Sequence, residues 1–474
     1  MNKIKKTVGR VTAQAGAITL AAIAIFFSFT NQTFAADDGT NLVADNVTTG
    51  ATAAPVPDTA LPETEDWAIH GQLTNITQKH NDFPAQYSGT QSLSPTGPAE
   101  ETTDATLMIG RRLWNGAEFW INPEIDQGFG FNNTMGIAGF PNGGAYKLGN
   151  NTPYLRIQRL FVRQTISLDG DRTNVDSGPN QLAQNIGVNN ITITAGKFSV
   201  ADIFDTNTYA HDPRADFLNW SLIDGGSYDY AADPWGYTWG GAVEWTQNWW
   251  TLRGGFFQLS PVPNSKIVRV NFGSNSTNLE LETRHSFAGH PGKIKLLAWI
   301  DQGNMASYSD AVLLGRQTNA MPNVALVRVP GSRPGVVLNM EQELSADVGA
   351  FLRMSADRGD KEAYEFSDIN QSLSTGLSIK GDSWGRSDDT IGIAGVVNRI
   401  SGEAQSYFEA GGLGILIGDG KMNYAPEKIT EMYYAWHPLS FAALTFDYQH
   451  VSNPAYNQDR GPVSIYGVRL HANF

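Results

Sequence analysis

Arginines flank an aromatic residue in RLFVRQT, residues 159–165, and Glu118, Trp120, Asn122 and Glu124 recur at the same spacing of two. In an extended chain that spacing puts side chains on one face. Arg159, Phe161 and Arg163 then point one way and Leu160 and Val162 the other, while Arg111 or Arg112 joins the first set from a neighbouring segment. Guanidinium and carboxylate groups facing each other across a narrow passage form a constriction ring of fixed donors and acceptors, with Trp120 and Phe161 as flat apolar plates. The alternative is that these charges only hold one another and the surrounding wall rigid.

Reaction chemistry has little support. The sequence contains no G-x-S-x-G elbow, no H-E-x-x-H and no P-loop. It has no cysteine, which removes thiol catalysis, disulfide frameworks and thiolate zinc sites. Asp388-Asp389 or Glu280 with Glu282 have the composition of a glycosidase pair, but nothing arranges them about a cleft. The run DIFDTNTYAHDPRADFLNW, residues 202–220, is dense in Asp, Asn and His, yet no glycine stands where an EF-hand loop needs one. It is expected to be an ordered inward loop braced by Asp205, Asn207, Asp212 and Arg214, with His211 a hydrogen-bonded loop residue. No metal and no cofactor is expected.

The elements that must position these side chains are strands. Residues 1–35 are set aside first: Lys3, Lys5, Lys6 and Arg10 precede an apolar run, and Thr33-Phe34-Ala35 is a small-x-small cleavage site, the pattern of a secretory signal peptide. Residues 36–64 have scarcely a large apolar side chain and read as a flexible leader. Beyond the signal no stretch is apolar enough for a membrane helix. Yet 49 glycines and 11% aromatic residues at a mean hydropathy below zero suit a water-soluble enzyme poorly. A transmembrane β-barrel accounts for the blend, because alternation averages its lipid face away. The formal net charge of −14 disfavours a nucleic-acid partner.

Alternating segments separated by Gly, Asn, Asp and Pro predict strands over 66–75, 103–113, 116–125, 155–168, 190–199, 237–246, 249–258, 265–273, 278–287, 292–302, 336–345, 347–357, 372–381, 390–399, 428–437, 440–450 and 463–474. Bacterial barrels have even strand numbers, so sixteen are expected, with 265–273 the weakest. Faces follow from the pattern. Leu279, Leu281 and Phe287 oppose Glu280, Glu282 and Arg284; Val348, Ala350, Leu352 and Met354 oppose Asp347, Arg353 and Asp357; Tyr237, Trp239, Val243 and Trp245 oppose Glu244. An arginine facing lipid at mid-bilayer costs about 2–4 kcal/mol, so the charged faces must line the lumen. Long loops alternate with tight turns, as in barrels with long external loops and short periplasmic turns. Residues 403–410 read as one helical piece within a loop. A two-layer sandwich, as in a secreted lectin or polysaccharide-acting enzyme, would show the same period.

Seven stretches carry a resemblance: MIGRRLWNGAEFWINPEIDQGFG, GIAGFPNGGAYKLG, RLFVRQT, GKFSVADIFDTNTYAHDPRADFLNW, YAADPWGYTWGGAVEW, NMEQEL and NPAYNQDRGPVSIYGVRLHANF. In this order, from about His70 to Phe474, they resemble the carbohydrate-selective outer-membrane porins, the OprB-like family. The resemblance implies a sixteen-stranded barrel in a Gram-negative outer membrane that passes glucose-type monosaccharides and carries out no reaction. It makes Arg163, Arg159, Arg112, Arg111, Glu118, Trp120, Asn122 and Glu124 candidates for sugar contact. It also implies that the last strand closes on the first and that the assembly machinery reads Phe474. Porin-like barrels often form homotrimers. The rival within the architecture is a general or anion-preferring porin.

Overall fold

The computed structural model describes residues 64–145, 149–168, 170–265 and 269–474. The expected signal peptide and all but the last residue of the expected leader lie outside these.

Alternation closes into a barrel. The strands are β1 (Trp67–His80), β2 (Glu100–Trp114), β3 (Ala117–Gly128), β4 (Asn150–Ser167), β5 (Arg172–Val175), β6 (Gln184–Gly187), β7 (Asn190–Phe198), β8 (Thr238–Gln247), β9 (Trp250–Gln258), β10 (Asn275–Phe287), β11 (His290–Met305), β12 (Val329–Ser345), β13 (Val348–Asp357), β14 (Gln371–Gly381), β15 (Arg386–Arg399), β16 (Glu427–Leu439), β17 (Ala442–Ser452) and β18 (Val463–Asn473). All except β5 and β6 form one closed antiparallel sheet in which each strand pairs with the next, β4 pairs with β7, and β18 pairs with β1. The closing register runs from Gln72↔Asn473 to His80↔Ile465. One residue further on, Phe474 exchanges both backbone hydrogen bonds with Gly71 at 3.0 Å. The β1–β18 ladder thus seals the barrel, whose sheet has no free edge.

Among the described residues the barrel has sixteen strands, and the described part of 265–273 is not one of them. In its described part Gly273 donates to the Asn271 side chain at 2.9 Å, a turn that competes with a ladder. Closure also excludes the two-layer sandwich.

The faces divide as lipid requires. Leu279, Leu281 and Phe287 are exposed on the outside, whereas Glu280, Glu282 and Arg284 are buried inside. Val243 and Trp245 face outward as well. Tyr237 does not: β8 begins one residue later, and Tyr237 is buried on the lumen side. Trp67, Trp114, Trp249, Trp436, Phe441 and Phe474 are all exposed near the end where β1 begins and β18 ends; such rings favour a membrane–water interface.

That same end holds tight turns, among them Asn115-Gly116, Asn248-Trp249 and Ser440-Phe441. The expectation of short turns there fails at one place. Between β4 and β7 the chain makes an excursion that includes the β5/β6 hairpin, which sequence pattern does not reveal. The opposite end carries long connections, including helix Gly402–Glu409, capped by Ser401 Oγ accepting from Ala404 N at 3.0 Å.

The apolar core lies inside the barrel, not between layers. Trp220 stacks on Phe140 at 5.5 Å and meets Phe366 edge-on at 4.7 Å, and Phe217 meets Tyr433 at 5.0 Å. Trp220, Phe140 and Phe217 belong to the β7–β8 and β3–β4 connections. Segments from the long-connection end therefore fold into the lumen.

Candidate functional site

Most charges on the lumen wall hold these inserted segments. Asp205, fully buried, accepts from Gly225 N at 2.6 Å, from Asn339 Nδ2 at 2.7 Å and from Arg353 Nε at 3.3 Å. Asn207 Nδ2 donates to Asn339 Oδ1 at 2.7 Å, and Glu341 accepts from Thr208 N at 2.8 Å. Further round the barrel, Glu431 accepts from Leu218 N at 2.6 Å, Glu427 from Gly139 N at 2.7 Å, and Arg469 Nη1 donates to Pro213 O at 2.8 Å. Carboxylates and guanidiniums paired with backbone groups in this way satisfy polar atoms that insertion takes away from water.

One wall differs. On β4, Arg156 and Arg163 keep 22% and 21% of their side-chain surface exposed, and Asp202 opposite keeps 29%. Arg159 clamps Asp202 through two bonds, Nε to Oδ2 at 2.8 Å and Nη2 to Oδ1 at 2.6 Å. Arg156 lies 3.6 Å from Asp233, and its guanidinium carbon is 3.4 Å from the centre of the Trp235 ring. Lys197 of β7 reaches the same Asp233 at 3.1 Å. Tyr237 lies 5.0 Å below the Arg159 guanidinium, and Trp235 Nε1 donates to the Tyr154 hydroxyl at 2.8 Å. Arg214 completes the group from the inserted segment, with Nε donating to Asp104 at 3.0 Å and Nη2 at 3.8 Å from Glu124. The arrangement is a line of cations along one strand, each beside a carboxylate, flanked by two aromatic rings.

Around Arg214 the inserted segment is electrostatically self-consistent. Burial pushes the Asp212 carboxyl upward, but the Arg214 charge and its backbone N–H outweigh this and hold Asp212 below the usual range. Burial together with the Arg353 charge lowers His211 and favours its neutral form. Burial raises Asp216 to about 6 against the backbone N–H of Asp212. Among the described residues no three His, Asp or Glu side chains converge as metal ligands would.

The constriction candidates from sequence separate into four groups. Arg159 and Arg163 face the half-open wall, and Glu124 stands behind it, accepting from Thr106 Oγ1 at 2.5 Å. Glu118, Trp120 and Asn122 face inward but are fully buried. Trp120 donates to Glu118 at 2.8 Å and fills the space above Gly110, where an added Cβ would lie 2.5 Å from its ring; Trp120 is thus no plate for a passing solute. Neither polar atom of the Asn122 side chain has a hydrogen-bond partner. Arg112 bonds Glu65 O at 2.9 Å and Ala183 O at 3.0 Å at the tight-turn rim. Arg111 does not enter the lumen. The inward positions of β2 are even-numbered (Asp104, Thr106, Met108, all buried), so Arg111 falls outside, 4.6 Å over Trp67 and 3.6 Å from Asp66.

Sequence reading missed Arg156 because strict alternation from Arg159 places it on lipid. A β-bulge intervenes: Asn122 pairs with Arg159 but Pro123 pairs with Ile157, leaving Gln158 extra. A bulge shifts the face of everything beyond it. Pro123 within a strand was the available signal, since proline in a sheet is confined to edges and bulges. Asp202, Asp233, Trp235 and Tyr237 come from a connection, and no periodicity places them.

The family model described as carbohydrate-selective porin, OprB family, matches residues 90–474. No curated protein matches the chain. Among solved structures, the high-pH structure of Pseudomonas putida OprB aligns with a TM-score of 0.66 at 13% identity, covering 86% of this chain and 94% of that one. The outer membrane channel DcaP of Acinetobacter baumannii aligns at 0.48 with 10% identity, covering 87% and 98%.

Proposed function

This chain belongs to the OprB family of carbohydrate-selective porins and is a channel of the Gram-negative outer membrane, and on that premise we propose that it passes glucose-type monosaccharides along the Arg156–Arg159–Arg163 wall. The observation that carries this reading is that β4 presents a row of partly exposed cations, each near a carboxylate and each near an aromatic ring, while most other lumen charges are bonded to inserted segments or to neighbouring strands. A pyranose offers hydroxyls at its rim and C–H groups on its faces. Paired guanidinium and carboxylate groups exchange hydrogen bonds with the first, and Trp235 and Tyr237 offer apolar surface to the second. Because Arg156, Arg159 and Arg163 each lie beside a carboxylate, with Lys197 sharing Asp233, most of the wall's charge is paired, which favours a neutral solute over an ion. The binding must be weak for the solute to leave; millimolar affinity, about −4 kcal/mol, suffices.

Planar-bilayer recording tests this. Millimolar glucose should reduce ion current, with other hexoses graded around it. Current unaffected by glucose but blocked by phosphate would instead identify an anion-preferring porin, the reading that Arg163 favours because its nearest carboxylate is 3.9 Å away.

The proposal extends to assembly. Phe474, with its backbone locked to Gly71 and its ring exposed, is the residue that assembly machinery would read, and its deletion should lower the yield of folded barrel. A homotrimer would show as crosslinked trimers in intact outer membrane.

A further inference from the structure

Residues 170–188 form an excursion that barrel closure does not require. β4 and β7 are paired through Ser167↔Asn190, and Leu168 N donates to Asn189 O at 2.8 Å. A two-residue turn at that point would suffice. The chain instead builds the β5/β6 hairpin and folds it back under the lumen, its tip closed by reciprocal bonds of 3.0 Å between Gly178 and Gln181.

Lumen-facing side chains of four consecutive strands hold that tip. His70 of β1 meets Ser177 Oγ at 3.2 Å, and Arg112 of β2 donates to Ala183 O at 3.0 Å. Glu118 of β3 accepts from Gln184 Nε2 at 2.7 Å, and Arg163 of β4 donates to Asn180 O at 2.8 Å. Leu182 and Glu118 are fully buried beneath the contact, so the hairpin is docked and does not hang free. The last of these strands, β4, carries the half-open wall, and the residue that ends its line of cations is the one that grips the tip. The hairpin lies at the tight-turn end of β4, so a solute leaving Arg163 toward that end meets Gly178–Gln181. At that point the Asn180 Oδ1 atom is buried without a hydrogen-bond partner.

We propose that this hairpin is a periplasmic exit filter that sets the size limit of the channel, with Glu118 and Arg163 as its positioning residues. The inference rests on the solute path proposed above. Joining Leu168 to Asn189 through Asn-Gly removes the filter and leaves every barrel strand intact. With heat-modifiable mobility confirming a folded barrel, single-channel conductance should rise by about twofold or more, and swelling of liposomes in trisaccharide should rise relative to monosaccharide. A folded variant with unchanged conductance and unchanged size limit overturns the proposal.

If the excised chain does not fold, Gly178→Cys decides. A Cβ at Gly178 meets nothing within 4 Å, and the chain has no other cysteine. Neutral thiosulfonates of increasing bulk should lower the current stepwise; current indifferent to the adduct overturns the proposal. Both readouts use ions, so glucose block lost while adduct dependence persists would count against the sugar reading and in favour of the exit filter.

Discussion

Asp205 and Arg353 meet inside the barrel at 3.3 Å, separated by 148 residues of sequence and both essentially without exposure. The pair ties the segment after β7 to the wall at β13. Removing one partner of a buried ion pair leaves the other uncompensated, at about 3–5 kcal/mol. Asp205→Ala should therefore release the inserted segment while the barrel itself still forms. Larger single-channel conductance and new protease cleavage between residues 200 and 232 are the expected results; unchanged conductance would mean that other contacts hold the segment.

Arg159→Ala tests the wall. Its two bonds to Asp202 disappear, the acid is left facing water, and the anion-to-cation permeability ratio should fall severalfold. Glucose block should weaken by about tenfold, the loss of one charge-assisted contact of about 1.4 kcal/mol. Folding yield should not change.

Trp120→Ala separates packing from recognition. The side chain is fully buried, and emptying such a site costs about 3–5 kcal/mol. The temperature at which the heat-modifiable band converts should drop, with the midpoint of glucose block unchanged. A large change in block at unchanged stability would return Trp120 to the solute path.

Asp368 supplies a pH dependence at the outer connections. Burial pushes its carboxyl up to about 7, against the backbone N–H of Leu416, which donates to it at 2.7 Å. The folded state then holds a proton that the unfolded chain has released, so this stabilisation is present at acid pH and is lost as pH rises through about 7. Amide exchange at Leu416, corrected for its intrinsic rate, should accelerate between pH 6 and 8 in this protein and stay level in Asp368→Asn.

How far sequence reaches is clearest on β10. Leu279 against Glu280 is decided by adjacent residues and a solvent, since lipid excludes charge from one face and a strand reverses faces at every step. The same local rule gives seventeen candidate strands, sixteen of them in the barrel, and places Arg159, Phe161 and Arg163 together inside. It fails first at Gln158, where a bulge resets the phase and turns Arg156 inward.

Sequence by itself thus determined the barrel and, away from bulges and strand ends, which side chains face the lumen, because alternation is a short-range consequence of lipid on one side. It could not separate lumen charges that meet water from those that hold a folded-in segment. Glu118 and Arg163 sit opposite each other in register, yet one is sealed under a hairpin and the other is half open. Only the long-range packing of connections decided that, since a carboxylate satisfies a distant backbone N–H or a passing hydroxyl with the same chemistry.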